Sequence, residues 1–219
     1  MKSVPVQVLL VDDHYMLLEA LTARLEMEPD FEVVGTACDS ERGFFQALEL
    51  RPDILVLDIE LPGRGSFTIA EELRARLPAM KIVFLTGFLS DVFVDQALRV
   101  GASGYLMKGE STAEFVAALR SVMKGETCFS AAVSDRLEFD PSEGVFQVKS
   151  QTLLNDLTGR QMEVLRHLAR GESVKEVARS MTLSERAIES HKYRIMQKLG
   201  IHDRVELTRY AIREGLTVP

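Results

Sequence analysis

Over its first 125 residues the chain alternates short apolar runs with longer stretches whose apolar positions recur at helical spacing. Runs of branched apolar residues bounded by turn formers read as strands buried on both faces. The run Ile54–Leu57 is the clearest, and strands are read at Val6–Val11, Phe31–Ala37, Ile54–Asp58, Ile82–Leu85 and Gly104–Met107. Between them, Leu17, Leu18, Leu21 and Leu25 fall at helical spacing, and Ser40 is a candidate N-cap for a helix carrying Phe44, Phe45, Ala47 and Leu48. Phe67–Leu77 and Asp91–Val100 read as helices, the second closed by Gly101, and the capping box Ser111-Thr112-Ala113-Glu114 opens a helix running to Lys124. Strand and helix thus alternate five times. That order predicts an α/β fold with a five-stranded, doubly wound parallel sheet. Right-handed crossovers favour the strand order 2-1-3-4-5, with strands 1 and 3 adjacent where the order reverses.

The pattern changes after Gly125. Residues 126–156 show weak periodicity and read as a linker with one short helix over Ala131–Leu137. From Leu157 everything is helical. Thr158-Gly159-Arg160-Gln161 and Ser173-Val174-Lys175-Glu176 are capping boxes, Met181-Thr182-Leu183 is a tight turn, and Ser184 caps a helix reaching Leu199 before Gly200. Asp203 caps a last helix that Gly215 ends. Two helices joined by a three-residue turn match a helix-turn-helix, whose second helix enters the major groove of DNA. At 100° per residue, Ile188, Ile195 and Leu199 face inward, flanked by His191 and Lys192. Arg186, Ser190, Tyr193 and Gln197 lie opposite, with Glu189 and Arg194 at the margins. From composition alone, a helical dimerisation module remains the alternative for this tail.

Charge supports a division of labour. Residues 1–150 carry 14 Lys and Arg against 24 Asp and Glu, net −10, whereas residues 151–219 carry 12 against 9, net +3. Only the tail suits a polyanion. Cys38 and Cys128 form no CxxC pair, which fits a reducing compartment and no disulfide framework or zinc site. The four histidines show no metal-ligand spacing. Neither a secretory h-region nor an apolar run of membrane-spanning length is present, so a cytoplasmic location is expected.

In an open parallel sheet, chemistry sits at the carboxyl ends of the strands. Asp12 and Asp13 follow the first strand, Asp58 ends the third, Thr86 the fourth, and Lys108 follows the fifth. Three carboxylates in one crevice repel one another unless a cation neutralises them, and oxygen ligands suit Mg2+. Lys108 and Thr86 supply the charge and the hydroxyl that a phosphoryl group on Asp58 needs. Asp58 therefore reads as a carboxylate nucleophile for a phosphoryl group. The alternative is an ion-paired rim without chemistry.

Residues 5–125 resemble the receiver domain of bacterial two-component response regulators, through Val11-Asp12-Asp13-His14, Leu57-Asp58-Ile59-Glu60-Leu61-Pro62-Gly63, Leu85-Thr86-Gly87 and Gly104-Tyr105-Leu106-Met107-Lys108. The resemblance implies that Asp58 is the phosphoacceptor. It implies that Asp13 and Asp58 bind Mg2+ directly with the Glu60 carbonyl, and Asp12 mainly through water. It makes Thr86 and Tyr105 a switch pair. Two positions depart from the pattern: Gly109 stands where many receivers have Pro, so a trans bond is expected after Lys108. Ser66-Phe67 stands where an Asp-Gly or Gly pattern is commoner.

Residues 157–216 resemble the LuxR-type helix-turn-helix, through Leu157-Thr158-Gly159-Arg160-Gln161, Lys175-Glu176-Val177-Ala178, Leu183-Ser184-Glu185-Arg186-Ala187-Ile188 with His191, and Lys198-Leu199-Gly200. Ala187 replaces the Thr usual there. That match places base readout at Glu189, Ser190 and Tyr193, and phosphate contacts at Lys175 and Lys192. The two resemblances stand in the order of the NarL/FixJ class: receiver at 1–125, linker at 126–156, DNA-binding domain at 157–219. They imply a sensor histidine kinase as donor, double-stranded DNA as partner, and a homodimer when phosphorylated or on DNA. No enzyme activity is expected beyond the protein's own phosphotransfer and slow dephosphorylation. A phosphoaspartate phosphatase, for which Glu60 has the right spacing from Asp58, would leave the helical tail unexplained.

Overall fold

The computed structural model describes residues 4–141, 144–149, 153–214 and 216. The chain clusters into two compact units, Met1–Phe88 with Ala97–Asp135, and Leu89–Gln96 with Arg136–Pro219.

The first unit is built on a parallel sheet. Its strands are β1 (Val6–Val11), β2 (Phe31–Ala37), β3 (Ile54–Asp58), β4 (Lys81–Thr86), β5 (Gly104–Met107) and β6 (Cys128–Phe129), in the order β2-β1-β3-β4-β5-β6. In chain order the helices between these strands are α1 (Tyr15–Glu26), α2 (Ser40–Leu50), α3 (Ser66–Arg76), α4 (Asp91–Val100) and α5 (Thr112–Met123); the first part of α4, up to Gln96, clusters with the second unit. The five expected strands pair in the expected order, and β6 extends the sheet by a sixth. It lies in the segment read as linker. Two residues are too few for an alternation to show. What holds them is backbone pairing, with the Cys128 N–H donating to the Ser103 carbonyl at 3.0 Å and the Ser130 N–H to the Tyr105 carbonyl at 3.0 Å.

Strand side chains alternate between two covered faces. Val8, Leu10, Ile54, Val56, Val83, Leu85 and Leu106 pack with Leu18, Leu21 and Leu25 of α1 and with Phe115, Val116, Leu119 and Val122 of α5. On the other face lie Leu9, Val11, Leu55, Leu57 and Phe84, all buried. There Phe67 of α3 meets Phe84 with ring centroids 4.8 Å apart. Gly43 lets α2 close on the sheet, since a Cβ there would lie 2.7 Å from the Val11 side chain. Each fully buried Leu, Ile or Val contributes about 1.5–3 kcal/mol. The rim of the sheet is therefore a firm base for charged groups.

One local reading changes. Asp39, not Ser40, caps α2 by accepting the Arg42 N–H at 2.8 Å. Ser40 is buried instead and donates to the Pro62 carbonyl at 3.0 Å. Of the two adjacent aromatics on α2, Phe44 is buried and Phe45 is exposed. The peptide bonds of the described residues, including that after Lys108, are trans.

In the second segment, α6 (Ala131–Ser134) is shorter than expected, because Leu137 starts a hairpin of β7 (Leu137–Asp140) and β8 (Val145–Val148). Phe139 pairs with Phe146, edge to face at 5.3 Å. A 3-10 turn at Leu153–Asp156 leads into α7 (Gly159–Ala169), α8 (Val174–Ser180), α9 (Glu185–Leu199) and α10 (Arg204–Arg213). Both predicted capping boxes form, at Thr158 with Gln161 and at Ser173 with Glu176, and Ser184 and Asp203 cap the remaining two helices. Met162, Leu165, Leu168, Val177, Ile188, Ile195, Leu199 and Leu207 form the buried side of this bundle. The proposed stop at Gly215 lies outside the described residues.

Candidate functional site

The carboxyl ends of β1, β3, β4 and β5 bring Asp12, Asp13, Asp58, Thr86 and Lys108 to one rim. Asp12 and Asp58 are buried, Asp13 is exposed, and the Lys108 ammonium reaches in from the edge. That ammonium lies 2.8 Å from Asp12 Oδ2 and 3.0 Å from Asp58 Oδ2. Neither carboxylate oxygen accepts a well-directed hydrogen bond. Two buried carboxylate oxygens thus share one cation. Burial pushes the Asp58 carboxyl above the usual carboxylate range, and the Asp12 charge pushes it further; Lys108 opposes both without cancelling them. Burial alone would lower the Lys108 ammonium, but its contact with Asp12 and the charge of Asp58 outweigh burial and raise it. The crevice is short of positive charge by its own electrostatics.

Asp12, Asp13, His14 and Asp58 each offer a ligand atom within 4.8 Å of the others. His14 is the member that spacing along the sequence did not reveal. No histidine lies near it in sequence; it joins through the neighbouring acids. Its Nδ1 lies 2.9 Å from Asp12 Oδ1, 2.7 Å from Asp13 Oδ1 and 3.4 Å from Lys108 Nζ. A hard cation such as Mg2+ prefers oxygen. The buried Asp12 and Asp58 oxygens, which share the one Lys108 ammonium, and the excess of negative charge fit such a cation. His14 is better placed to hold the acids than to bind a metal.

The loop after β3 is pinned from two directions. The Glu60 N–H donates to Asp58 Oδ1 at 3.2 Å. The Ser66 hydroxyl, fully buried, reaches the Asp58 carbonyl at 2.6 Å and the Ile59 carbonyl at 3.1 Å. The Glu60 side chain points to solvent and is absent from the acidic cluster. Thr86 is buried at the end of β4, where its Oγ1 accepts the Phe88 N–H at 3.0 Å and lies 3.3 Å from the Phe88 carbonyl. Tyr105 is fully buried, with its hydroxyl 3.5 Å from that same carbonyl. Both members of the expected switch pair therefore meet on Phe88, a residue the sequence did not single out.

In the tail, α9 exposes Arg186, Glu189, Ser190, Tyr193, Arg194 and Gln197, and α8 exposes Lys175. Lys192 is half-buried and ion-paired with Glu189 at 2.7 Å. His191 is half-buried; burial lowers its imidazole, and Arg160 and Arg194 lower it further. It is a packed neutral histidine at the edge of the core. Arg160 was missed as a brace. It pairs with Glu163 at 2.7 Å and donates to the Met181 carbonyl at 3.0 Å, fixing the turn between α8 and α9.

Comparison with known proteins agrees with this geometry. Residues 8–120 match the response regulator receiver domain, and residues 155–211 match the bacterial regulatory proteins of the luxR family. The oxygen regulatory protein NreC of Staphylococcus aureus (strain MRSA252) is 30% identical over 213 residues, covering 96% of this chain and 98% of that protein. The transcriptional regulatory protein LnrK of Bacillus subtilis (strain 168) is 29% identical over 218 residues, covering 97% and 99%. Among solved structures, RcsB from Salmonella enterica serovar Typhimurium bound to promoter P1flhDC with the phosphomimetic BeF3- superposes with a TM-score of 0.70 at 26% identity, over 94% of this chain and 98% of that one. No helix of the described residues is long and apolar enough to cross a membrane.

Proposed function

This chain belongs to the transcriptional response regulators, which join a receiver domain to a LuxR-type DNA-binding domain, and from that premise we propose that phosphorylation of Asp58 by a sensor histidine kinase controls sequence-specific binding of the tail to double-stranded DNA. The family acts by binding DNA rather than by substrate turnover. The observation that carries the reading is the pair of buried oxygens on Asp12 and Asp58 sharing the Lys108 ammonium at 2.8 and 3.0 Å.

A carboxylate raised by burial is costly to ionise and gains from any partner that takes up its charge. The Asp58 oxygen attacks the phosphorus of a phosphohistidine. The new P–O bond forms as the P–N bond breaks, and the electron pair returns to the imidazole of the kinase. Receiver domains bind Mg2+ in this acidic pocket. Here Asp13, Asp58 and the Glu60 carbonyl would hold it, with Asp12 acting through water. When bound, it neutralises the carboxylates and the charge on the phosphoryl oxygens. Lys108 binds a phosphoryl oxygen, and Thr86 exchanges Phe88 for another. Tyr105, already inward, fills the space behind it.

In the tail, Glu189, Ser190 and Tyr193 read base edges, joined by the outward Arg186, Arg194 and Gln197. Lys175 and Lys192 hold phosphates. A single small module buries little surface, so specific binding uses two copies on half-sites about 10 bp apart. The similar RcsB was captured on promoter DNA with a phosphoryl mimic.

Acetyl phosphate with Mg2+ should add one phosphoryl group to the chain, read by intact mass. Asp58→Asn should abolish the addition, and Asp13→Asn should remove its Mg2+ dependence. Equal labelling of Asp58→Asn would place the acceptor elsewhere.

A further inference from the structure

Ser66 occupies an unusual place for a serine at a helix start. Gly65 is the N-cap of α3 and offers no side chain to it. Ser66, one position on, leaves the helix end alone and turns its hydroxyl into the protein. It is fully buried, and the hydroxyl lies 2.6 Å from the Asp58 carbonyl and 3.1 Å from the Ile59 carbonyl. A buried hydroxyl has one proton to give, here shared between two successive carbonyls of the turn that carries the proposed acceptor. The Glu60 N–H holds the same turn from the other side through Asp58 Oδ1 at 3.2 Å. The Ile59 carbonyl shares its peptide plane with the Glu60 N–H, so a hydroxyl that fixes that carbonyl also fixes the N–H that orients the Asp58 carboxylate.

We propose that Ser66 is a positioning residue for Mg2+ binding, its buried hydroxyl clasping the Asp58 and Ile59 carbonyls and so fixing the turn whose Glu60 N–H orients the Asp58 carboxylate toward the ion. The inference rests on the reading of the Asp58 crevice as the Mg2+ and phosphoryl site. Ser66 itself touches neither the ion nor the phosphoryl group. Glycine, alanine or a helix-capping side chain turned outward would leave both carbonyls without this donor. Outer partners that orient metal ligands typically carry about tenfold or more of the affinity.

Mg2+ binding to the unphosphorylated full chain, measured by titration calorimetry, tests this. Ser66→Ala should weaken Mg2+ about tenfold, and Ser66→Thr, which keeps the hydroxyl, should bind within about twofold of wild type. Ser40→Ala is the matched control. Its hydroxyl is equally buried and also bonded to a loop carbonyl, that of Pro62, but it does not touch the Asp58–Glu60 turn. It should lower the melting temperature and leave Mg2+ affinity unchanged. Labelling by acetyl phosphate should show the same split, with a higher half-saturating Mg2+ for Ser66→Ala and a maximal rate within about twofold at saturating Mg2+. If Ser66→Ala does not fold, Ser66→Gly is compared with Ser66→Thr in its place. Wild-type Mg2+ affinity in the folded variant lacking the hydroxyl would overturn the inference. So would equal weakening in Ser40→Ala, which would assign the effect to general loosening. Wild type that takes no phosphoryl group would instead overturn the reading of the crevice.

Discussion

At the scale of single residues, the crevice places binding above stability. Asp58 is buried beside Asp12, and its carboxyl is raised, first by burial and then by that neighbour. A raised carboxyl means that the folded state holds its proton more tightly than the unfolded chain. Stability from this group is present below the unfolded value and is lost as pH rises through the folded one. The carboxylates of Glu28, Asp30 and Glu114 are lowered by their partners and have the opposite sign, since their contribution is lost at acid pH. Comparing wild type with Asp58→Asn isolates the Asp58 contribution. Without Mg2+, the receiver transition of Asp58→Asn should melt above wild type at pH 7 and approach it toward pH 4, by about 1–2 kcal/mol at neutral pH. Adding Mg2+ should raise wild type more than the variant. A pH-independent difference between the two would remove Asp58 as the strained group.

At the scale of elements, what the sequence revealed depended on length and on whether a side chain or a backbone held the piece. Strands β1, β3 and β4 were readable because four apolar residues stand in a row, and β2 and β5 because shorter apolar runs recur between the helical stretches. The helix starts at Ser111, Thr158, Ser173 and Ser184 were readable because a cap is a local side-chain event. The strand at Cys128–Phe129 was not, since two residues are too few to show an alternation and their register with β5 is set by backbone pairing. The hairpin of β7 and β8 was missed for a different reason. Leu137, Phe139, Phe146 and Val148 do alternate, but over four residues per strand, with Phe139 and Phe146 exposed. Of the crevice, the acids, Thr86 and Lys108 were legible once the strand order was fixed. Ser66 was not, because only the folded loop brings it to Asp58; His14 stands beside Asp12 and Asp13 in sequence but shows no metal-ligand spacing to another histidine. On α9 the legible part was the division of faces: Ile188, Ile195 and Leu199 are buried, and Ser190 and Tyr193 are exposed. That division makes a prediction. Lys175→Ala should weaken specific and scrambled duplexes alike and reduce the salt slope by about one unit per lost phosphate contact. Tyr193→Ala or Ser190→Ala should change the preferred sequence, by about 1–3 kcal/mol at one base pair. Affinities for both duplexes at several salt concentrations separate these. Altered sequence preference in Lys175→Ala, with none in Tyr193→Ala, would reverse the orientation assigned to the helix.

At the scale of the whole molecule, the sign of the charges limits how the signal travels. The first 150 residues carry net −10 and the tail +3. A phosphoryl group adds further negative charge, about −1.5 to −2. By Coulomb attraction alone, phosphorylation would therefore weaken a polyanion complex. An increase in DNA affinity must come through a change of conformation or assembly that the phosphoryl oxygens favour. On the proposed reading, the groups that would sense those oxygens are Lys108, whose ammonium lies 3.0 Å from Asp58, and Thr86, whose hydroxyl is engaged with Phe88. BeF3- with Mg2+ should raise specific DNA affinity of the full chain by about 5–150-fold, the usual range of coupling between sites. Thr86→Ala and Lys108→Ala should fold and bind DNA at the basal level, yet lose most of that increase. Raising salt should weaken the basal and the stimulated complexes alike, because the phosphate contacts belong to the tail in both. Fluorescence anisotropy with a selected duplex, with and without BeF3-, reads all three. A full response in both variants would move the switch away from Thr86 and Lys108. A stimulation that vanishes at moderate salt while basal binding persists would make it electrostatic after all.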